Sequence, residues 1–92
     1  MINTATVDEL PNWDLVDPTR IRADYTFVSF AAAIAFMTEV AIHADKLNHH
    51  PEWSNVYNRV TVELTTHDAG GLTQVDIDLA RLMNDIFERT ST

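Results

Sequence analysis

Two histidines stand side by side at His49-His50, immediately before Pro51, and His67 follows further along the chain. Only four histidines occur in the whole sequence, so three of them invite a common explanation. An imidazole gives or takes a proton near neutral pH, because its ordinary pKa is about 6.5. Neutral imidazoles also bind metals, and three histidines are enough ligands for a catalytic zinc. The third reading is that the rings are unreactive junction and surface residues. Residue types alone leave these readings open, although no HExxH or similar helical metal spacing is present.

Adjacent residues cannot face one site from a regular element. They point to opposite sides of a strand and diverge by about 100° on a helix. His49 and His50 therefore predict an irregular junction. Pro51 supplies one, since it fixes its own φ and pushes His50 out of helical geometry. The residues before it read as helix and those after it as strand, and such junctions often display reactive groups.

A hairpin is the device that brings His67 back. Val60, Val62 and Leu64 alternate with Thr61, Glu63 and Thr65, as in a half-buried strand. Asn58-Arg59 reads as a two-residue turn, Asn tolerating positive φ. Tyr57 then pairs with Val60, and counting outward sets His50 opposite His67. Directly opposed residues have Cβ atoms about 4.5–5.5 Å apart.

The remaining elements follow from periodicity. Met1 to Pro11 is a lead-in with one helical turn over Thr6 to Leu10. Trp13 to Val16 and Arg20 to Tyr25 are strands around the turn residues Asp17-Pro18-Thr19. A long helix opens at Thr26 or Phe27 and runs to about Leu47. It carries two apolar stripes: Phe27, Phe30, Ile34, Met37, Ala41 and Ala44, then Ala33, Phe36, Val40 and Leu47. One stripe should pack on a sheet and the other is free to meet a partner subunit. His43, on the same helix with no polar cluster beside it, reads as a surface residue. After a Gly70-Gly71 loop, Thr73 to Asp76 matches a capping box that opens a helix to about Arg89. Val75, Leu79, Leu82, Met83 and Ile86 form its buried side. The order ββαββα predicts an α+β fold: a four-stranded antiparallel sheet with two main helices packed on one face.

Composition narrows the function classes. The 92 residues predict a single domain spanning 1–92, with a core small enough for oligomerisation to help. A net charge of −8 with only six Lys and Arg argues against a nucleic-acid surface. The absence of cysteine excludes disulfides and thiolate metal sites. The longest apolar run is broken by Thr38, Glu39 and His43, so no membrane span is expected. No cationic segment followed by an apolar run opens the chain, so no signal peptide is expected and the cytoplasm is the default location.

The pattern of Asp45, His49-His50-Pro51, Tyr57, His67 and Asp76 resembles the pterin-4a-carbinolamine dehydratases, also called 4a-hydroxytetrahydrobiopterin dehydratases. The stretch Leu47 to Val60 is especially similar, and the resemblance runs from about Trp13 to Phe87. Ser54 and Ala69 depart from residues common in the animal enzymes.

The resemblance implies a lyase that dehydrates 4a-hydroxytetrahydrobiopterin to quinonoid dihydropterin, recycling the cofactor of aromatic amino acid hydroxylases. By similarity, His49 and His67 transfer protons, while His50 holds the substrate and assists. Asp45, Pro51, Trp53 and Asp76 are the implied substrate-binding positions. Asp76 has two readings, helix capping and orienting a histidine or the pterin edge; Trp53 and Tyr57 also read as core residues of the hairpin. No metal and no separate cofactor are implied, the pterin being the substrate. A homodimer or homotetramer through the 27–47 helix or a sheet edge is expected, without nucleic-acid or membrane partners. The alternative is an interaction module, since animal relatives also act as dimerisation cofactors of a transcription factor.

Overall fold

A computed structural model describes residues 2–90; Met1 of the predicted lead-in and positions 91–92 lie outside them. Four strands, β1 (Trp13–Asp17), β2 (Arg20–Thr26), β3 (Glu52–Val56) and β4 (Arg59–Leu64), form one antiparallel sheet. Their order across it is β1-β2-β4-β3. Two helices, α1 (Phe30–Leu47) and α2 (Gln74–Thr90), complete the ββαββα sequence. The α+β architecture expected from periodicity is the one observed.

Alternation decides the faces of the sheet. Ile21, Ala23 and Tyr25 of β2 and Val60, Val62 and Leu64 of β4 are buried, while the residues between them face outward. Helix α1 covers the buried face with Ala33, Phe36, Val40 and Ala44. Helix α2 adds Ile77, Leu79, Ala80, Met83 and Ile86; Val75 and Leu82, predicted inward, are only half-buried. Tyr25, Phe27, Phe36 and Phe87 meet at the centre, with ring centroids 4.8–6.5 Å apart. Such tilted and edge-on aromatic contacts add about 0.5–1.5 kcal/mol per pair beyond the area they bury. His43 is half-buried rather than fully at the surface.

One buried polar chain ties the lead-in to this core. Trp13 Nε1 donates to the Tyr25 hydroxyl (2.9 Å), which donates to Asn84 Oδ1 (2.6 Å). Asn84 Nδ2 in turn donates to the Pro11 carbonyl at 2.8 Å. Burial pushes the Tyr25 phenol pKa up, opposed by the Trp13 N–H. The lead-in itself holds a 3-10 turn at Thr4–Glu9, slightly earlier than predicted, opened by the Asn3 side chain accepting from Ala5 N.

Three expectations need correction. Helix α1 starts at Phe30, not Thr26 or Phe27, because Thr26 still pairs with Arg59 in the sheet. Ser29 supplies the cap, its hydroxyl accepting from Ala32 N at 3.0 Å. The hairpin turn is Tyr57-Asn58, not Asn58-Arg59, since Val56 pairs with Arg59. Asn58 is occupied elsewhere: its carbonyl accepts from Phe27 N and its amide donates to Phe27 O, at 2.8 and 2.9 Å. Tyr57 takes the positive φ of 52° instead, and Asn55 Nδ2 braces the turn by donating to the carbonyls of Tyr57 and Arg59. The third correction follows. The pairing ends at Glu52 against Glu63, and extending that register would set His50 against Thr65 rather than His67, so the direct opposition of His50 and His67 is not formed.

Of the two stripes on α1, the one through Ala33, Phe36 and Val40 packs on the sheet, joined by Ala44. Phe30 and Ile34 of the other remain 51% and 40% exposed, as does Leu47 at the helix end at 42%. Among the described residues, no helix is long and apolar enough to cross a membrane.

Candidate active site

Helix α1 ends sharply, and this places His49. Asn48 adopts the left-handed conformation (φ 51°, ψ 42°). Its N–H bonds Asp45 O at 3.1 Å, and the N–H of His49 bonds Ala44 O at 3.0 Å. This is a Schellman closure, with Asn48 as the left-handed residue and His49 locked just beyond it. The sequence reading credited Pro51 with the junction; Asn48 makes the bend and Pro51 carries the chain on into β3.

At the other side of the site, β4 runs out at Leu64 and the chain folds back on itself. Thr66 and Gly71 exchange backbone bonds at 3.2 Å, closing a small loop that holds a 3-10 turn at His67–Ala69. Gly70 ends this turn at φ 69°, a conformation that favours glycine. Asn48, His49, His50, Glu52, Thr65, Thr66, His67 and Asp68 line one cleft of about 270 Å³. It thus gathers all three predicted histidines, although not by the direct opposition expected. The volume is just below the usual range of small-molecule sites, which begins at about 300 Å³.

Each imidazole meets its own carboxylate. His49 Nε2 lies 2.5 Å from Asp76 Oδ1, His50 Nε2 3.0 Å from Asp45 Oδ1, and His67 Nε2 3.2 Å from Glu52 Oε2. A carboxylate only accepts hydrogen bonds, so each contact selects the Nε2–H form and leaves Nδ1 as the lone-pair nitrogen of a neutral ring.

Asp76 both caps a helix and meets a histidine. It is fully buried in the first turn of α2. Its Oδ2 accepts from Thr73 N at 3.0 Å, which is the acid half of the capping box, and from the Thr66 hydroxyl at 2.7 Å. The Thr66 hydroxyl has one proton, so the 2.9 Å contact between Thr66 and Thr73 is a donation from Thr73. With Oδ2 occupied, Oδ1 is left to His49.

Of the other implied substrate-binding residues, the Asp45 side chain meets the site through His50, and Pro51 and Trp53 are not among the lining. Trp53 pairs with Val62 on the inward side of β3 and packs against the core, its plainer reading. Glu52 was missed. Its Oε1 accepts from Arg20 at 2.9 Å, and Arg20 also bonds Glu63 at 3.0 Å. Arg20 foremost, and then His67, hold the Glu52 carboxyl below its ordinary pKa. Spacing gave no sign of this contact, which depends on the true register. Among the described residues, no three or more His, Asp or Glu side chains are grouped to hold a metal ion.

Comparison with known proteins assigns the fold a lineage. A family model described as pterin 4 alpha carbinolamine dehydratase matches residues 2–86. A provisionally named pterin-4-alpha-carbinolamine dehydratase of Mesorhizobium japonicum is 52% identical over 85 residues, covering 91% of this chain and 87% of the relative. A protein of the same provisional name from a Synechococcus species is 54% identical over 72 residues, covering 78% and 76% of the two chains. The crystal structure of a transcriptional coactivator/pterin dehydratase from Brucella melitensis superimposes with a TM-score of 0.86 at 44% identity, covering 90% of this chain and 89% of that one. A pterin dehydratase-like protein described as a RuBisCO assembly factor in the alpha-carboxysome shares the fold, with a TM-score of 0.70 at 18% identity over 83% and 89% of the chains.

Proposed function

The chain belongs to the pterin 4 alpha carbinolamine dehydratase family, and on that premise we propose that it dehydrates a 4a-hydroxytetrahydropterin, 4a-hydroxytetrahydrobiopterin being the type substrate, to the quinonoid dihydropterin. The observation that carries this reading is the cleft itself: three imidazoles, each held through Nε2 by a separate carboxylate, around one small cavity.

The chemistry needs an acid and a base and no electron transfer. Protonation of the C4a hydroxyl lets the C–O bond break and water leave. A base removes the proton from the neighbouring ring nitrogen, and the electron pair released forms the new double bond. Imidazoles near neutrality supply both steps. His49 and His67 are the proposed proton-transfer groups, with His50 holding the substrate and assisting. Asp76 and Asp45 orient His49 and His50 rather than contacting the ring system directly. No cofactor beyond the pterin substrate is invoked.

The test is direct. An aromatic amino acid hydroxylase generates the 4a-hydroxypterin, and its disappearance is followed by ultraviolet absorbance with and without this protein. The expected result is a rate well above the spontaneous one. A wild-type rate equal to the spontaneous rate would sink the reading.

Self-association accompanies this proposal. Val28, Phe30, Ile34 and Ile42 are 85%, 51%, 40% and 54% exposed at and along α1, which supports a homodimer or homotetramer through that helix. Analytical ultracentrifugation of wild type beside Phe30→Ser reads it out.

A further inference from the structure

We propose, resting on the dehydratase reading above, that Arg20 and Glu52 are a positioning pair that holds the His67 ring for its part in proton transfer, Arg20 acting from outside the cleft. His67 has little packing to hold it. Its side chain is 76% exposed, and among the described residues its one side-chain hydrogen bond is to Glu52 Oε2. Glu52 is itself 53% exposed on an edge strand, and a long flexible side chain there does not aim itself.

Arg20 supplies the aim. From β2 it reaches across β4 to β3, its NH1 bonding Glu63 Oε1 and Glu52 Oε1 together. Glu52 and Glu63 are direct partners in the β3–β4 register. Like charges directly opposed across a sheet repel, and Arg20 bridges both. Glu63 also has Arg22 NH1 at 3.6 Å, but among the described residues Glu52 has no arginine other than Arg20 in an ion pair, so without Arg20 it would leave the position from which it meets His67. The Arg20 side chain is only 23% exposed, so its guanidinium is better held than the 53%-exposed Glu52 it aims. Exposed ion pairs add little stability. The consequence of this one lies in geometry, at a ring that nothing else fixes.

The experiment compares Arg20→Met, Glu52→Gln, the double variant and Arg20→Lys in full-length protein. Arg59→Met is the control: it removes the same charge from β4, and Arg59 makes no side-chain bond to Glu52 or Glu63. Each single variant should lower kcat about five- to tenfold with KM changed less than about twofold, as expected for loss of orientation rather than of binding. The double variant should be no worse than the poorer single one, because the two residues act as a unit. Lysine keeps the charge on a more flexible stem without the planar guanidinium, so Arg20→Lys should recover part of the rate.

A second readout does not depend on turnover. Nitrogen-15 NMR of the His67 ring should show one dominant Nε2–H tautomer in wild type and a mixture in Arg20→Met and Glu52→Gln. Unchanged tautomer populations would overturn the positioning claim, as would multiplicative losses in the double variant or an equal loss in Arg59→Met. If wild type shows no turnover, the functional reading falls, and the NMR result alone decides whether Arg20 and Glu52 hold the ring.

Discussion

The inner and outer ends of the cleft are built on opposite plans. At the inner end, His49 is 13% exposed and Asp76 fully buried, and their contact is fixed by three elements at once: the Schellman end of α1, the first turn of α2 and Thr66 beyond β4. At the outer end, His50 and His67 are 61% and 76% exposed, and their partners Asp45 and Glu52 are exposed as well. The same pair of side-chain types is thus part of the core at one end and of a charged surface at the other. Removing the inner carboxylate should damage both fold and chemistry, whereas removing an outer one should act mainly on chemistry, with only a small effect on stability.

The largest expected effect comes from Asp76→Ala. It strips the α2 cap, leaves Thr66 and Thr73 without their acceptor, and frees His49. A loss of about 2–4 kcal/mol in urea denaturation is expected from lost capping and buried hydrogen bonds. Asp76→Asn, which keeps the shape and an acceptor oxygen, should recover much of that stability but little of the activity. A stable, fully active Asp76→Ala protein would erase the distinction between the two ends.

His49→Ala comes next in total effect. Loss of this proposed proton-transfer group should lower kcat about 10²- to 10⁴-fold in the ultraviolet assay. His67→Ala should also lower kcat, with denaturation midpoints nearly unchanged because the ring is exposed. A destabilisation by His67→Ala as large as that of Asp76→Ala would show the outer end to be structural too.

Asp45→Asn should be milder still. An exposed pair is worth at most about 1 kcal/mol, and the role proposed for His50 is only an assisting one, so a change in kcat/KM of up to about fivefold is expected.

The smallest effect concerns pH. Glu52 has a folded pKa below its ordinary 4.5. A depressed carboxyl contributes stability above its unfolded pKa and loses it as pH falls through the folded value. Thermal melts should therefore show a small advantage of wild type over Glu52→Gln at about pH 6 that shrinks as the pH falls below the ordinary carboxylate pKa of 4.5. An advantage that grew on acidification would contradict the outer ion network.

Much of this was legible from periodicity and spacing. Alternation in Thr61–Leu64 and the apolar rows of α1 were enough for the sheet, the helices and the layer order. Asp76 was legible as a cap, because a capping box is a local pattern. The turn was not, because Asn58 spends both its carbonyl and its amide on Phe27, a partner remote in sequence. The start of α1 was obscured for a related reason: Phe27 looks like the first residue of the apolar stripe but is buried at the end of β2. The outer carboxylate was hidden by the same register error. Only with Tyr57-Asn58 at the apex does Glu52 fall against Glu63 and come within reach of Arg20.

The dual duty of Asp76 also has a dynamic consequence. Fraying of the first turn of α2 releases the Thr73 amide and undoes the His49 contact in a single event. Hydrogen exchange at that amide therefore clocks how often the His49 ring is without its anchor, and any ligand that engages His49 only when it is anchored must slow that exchange.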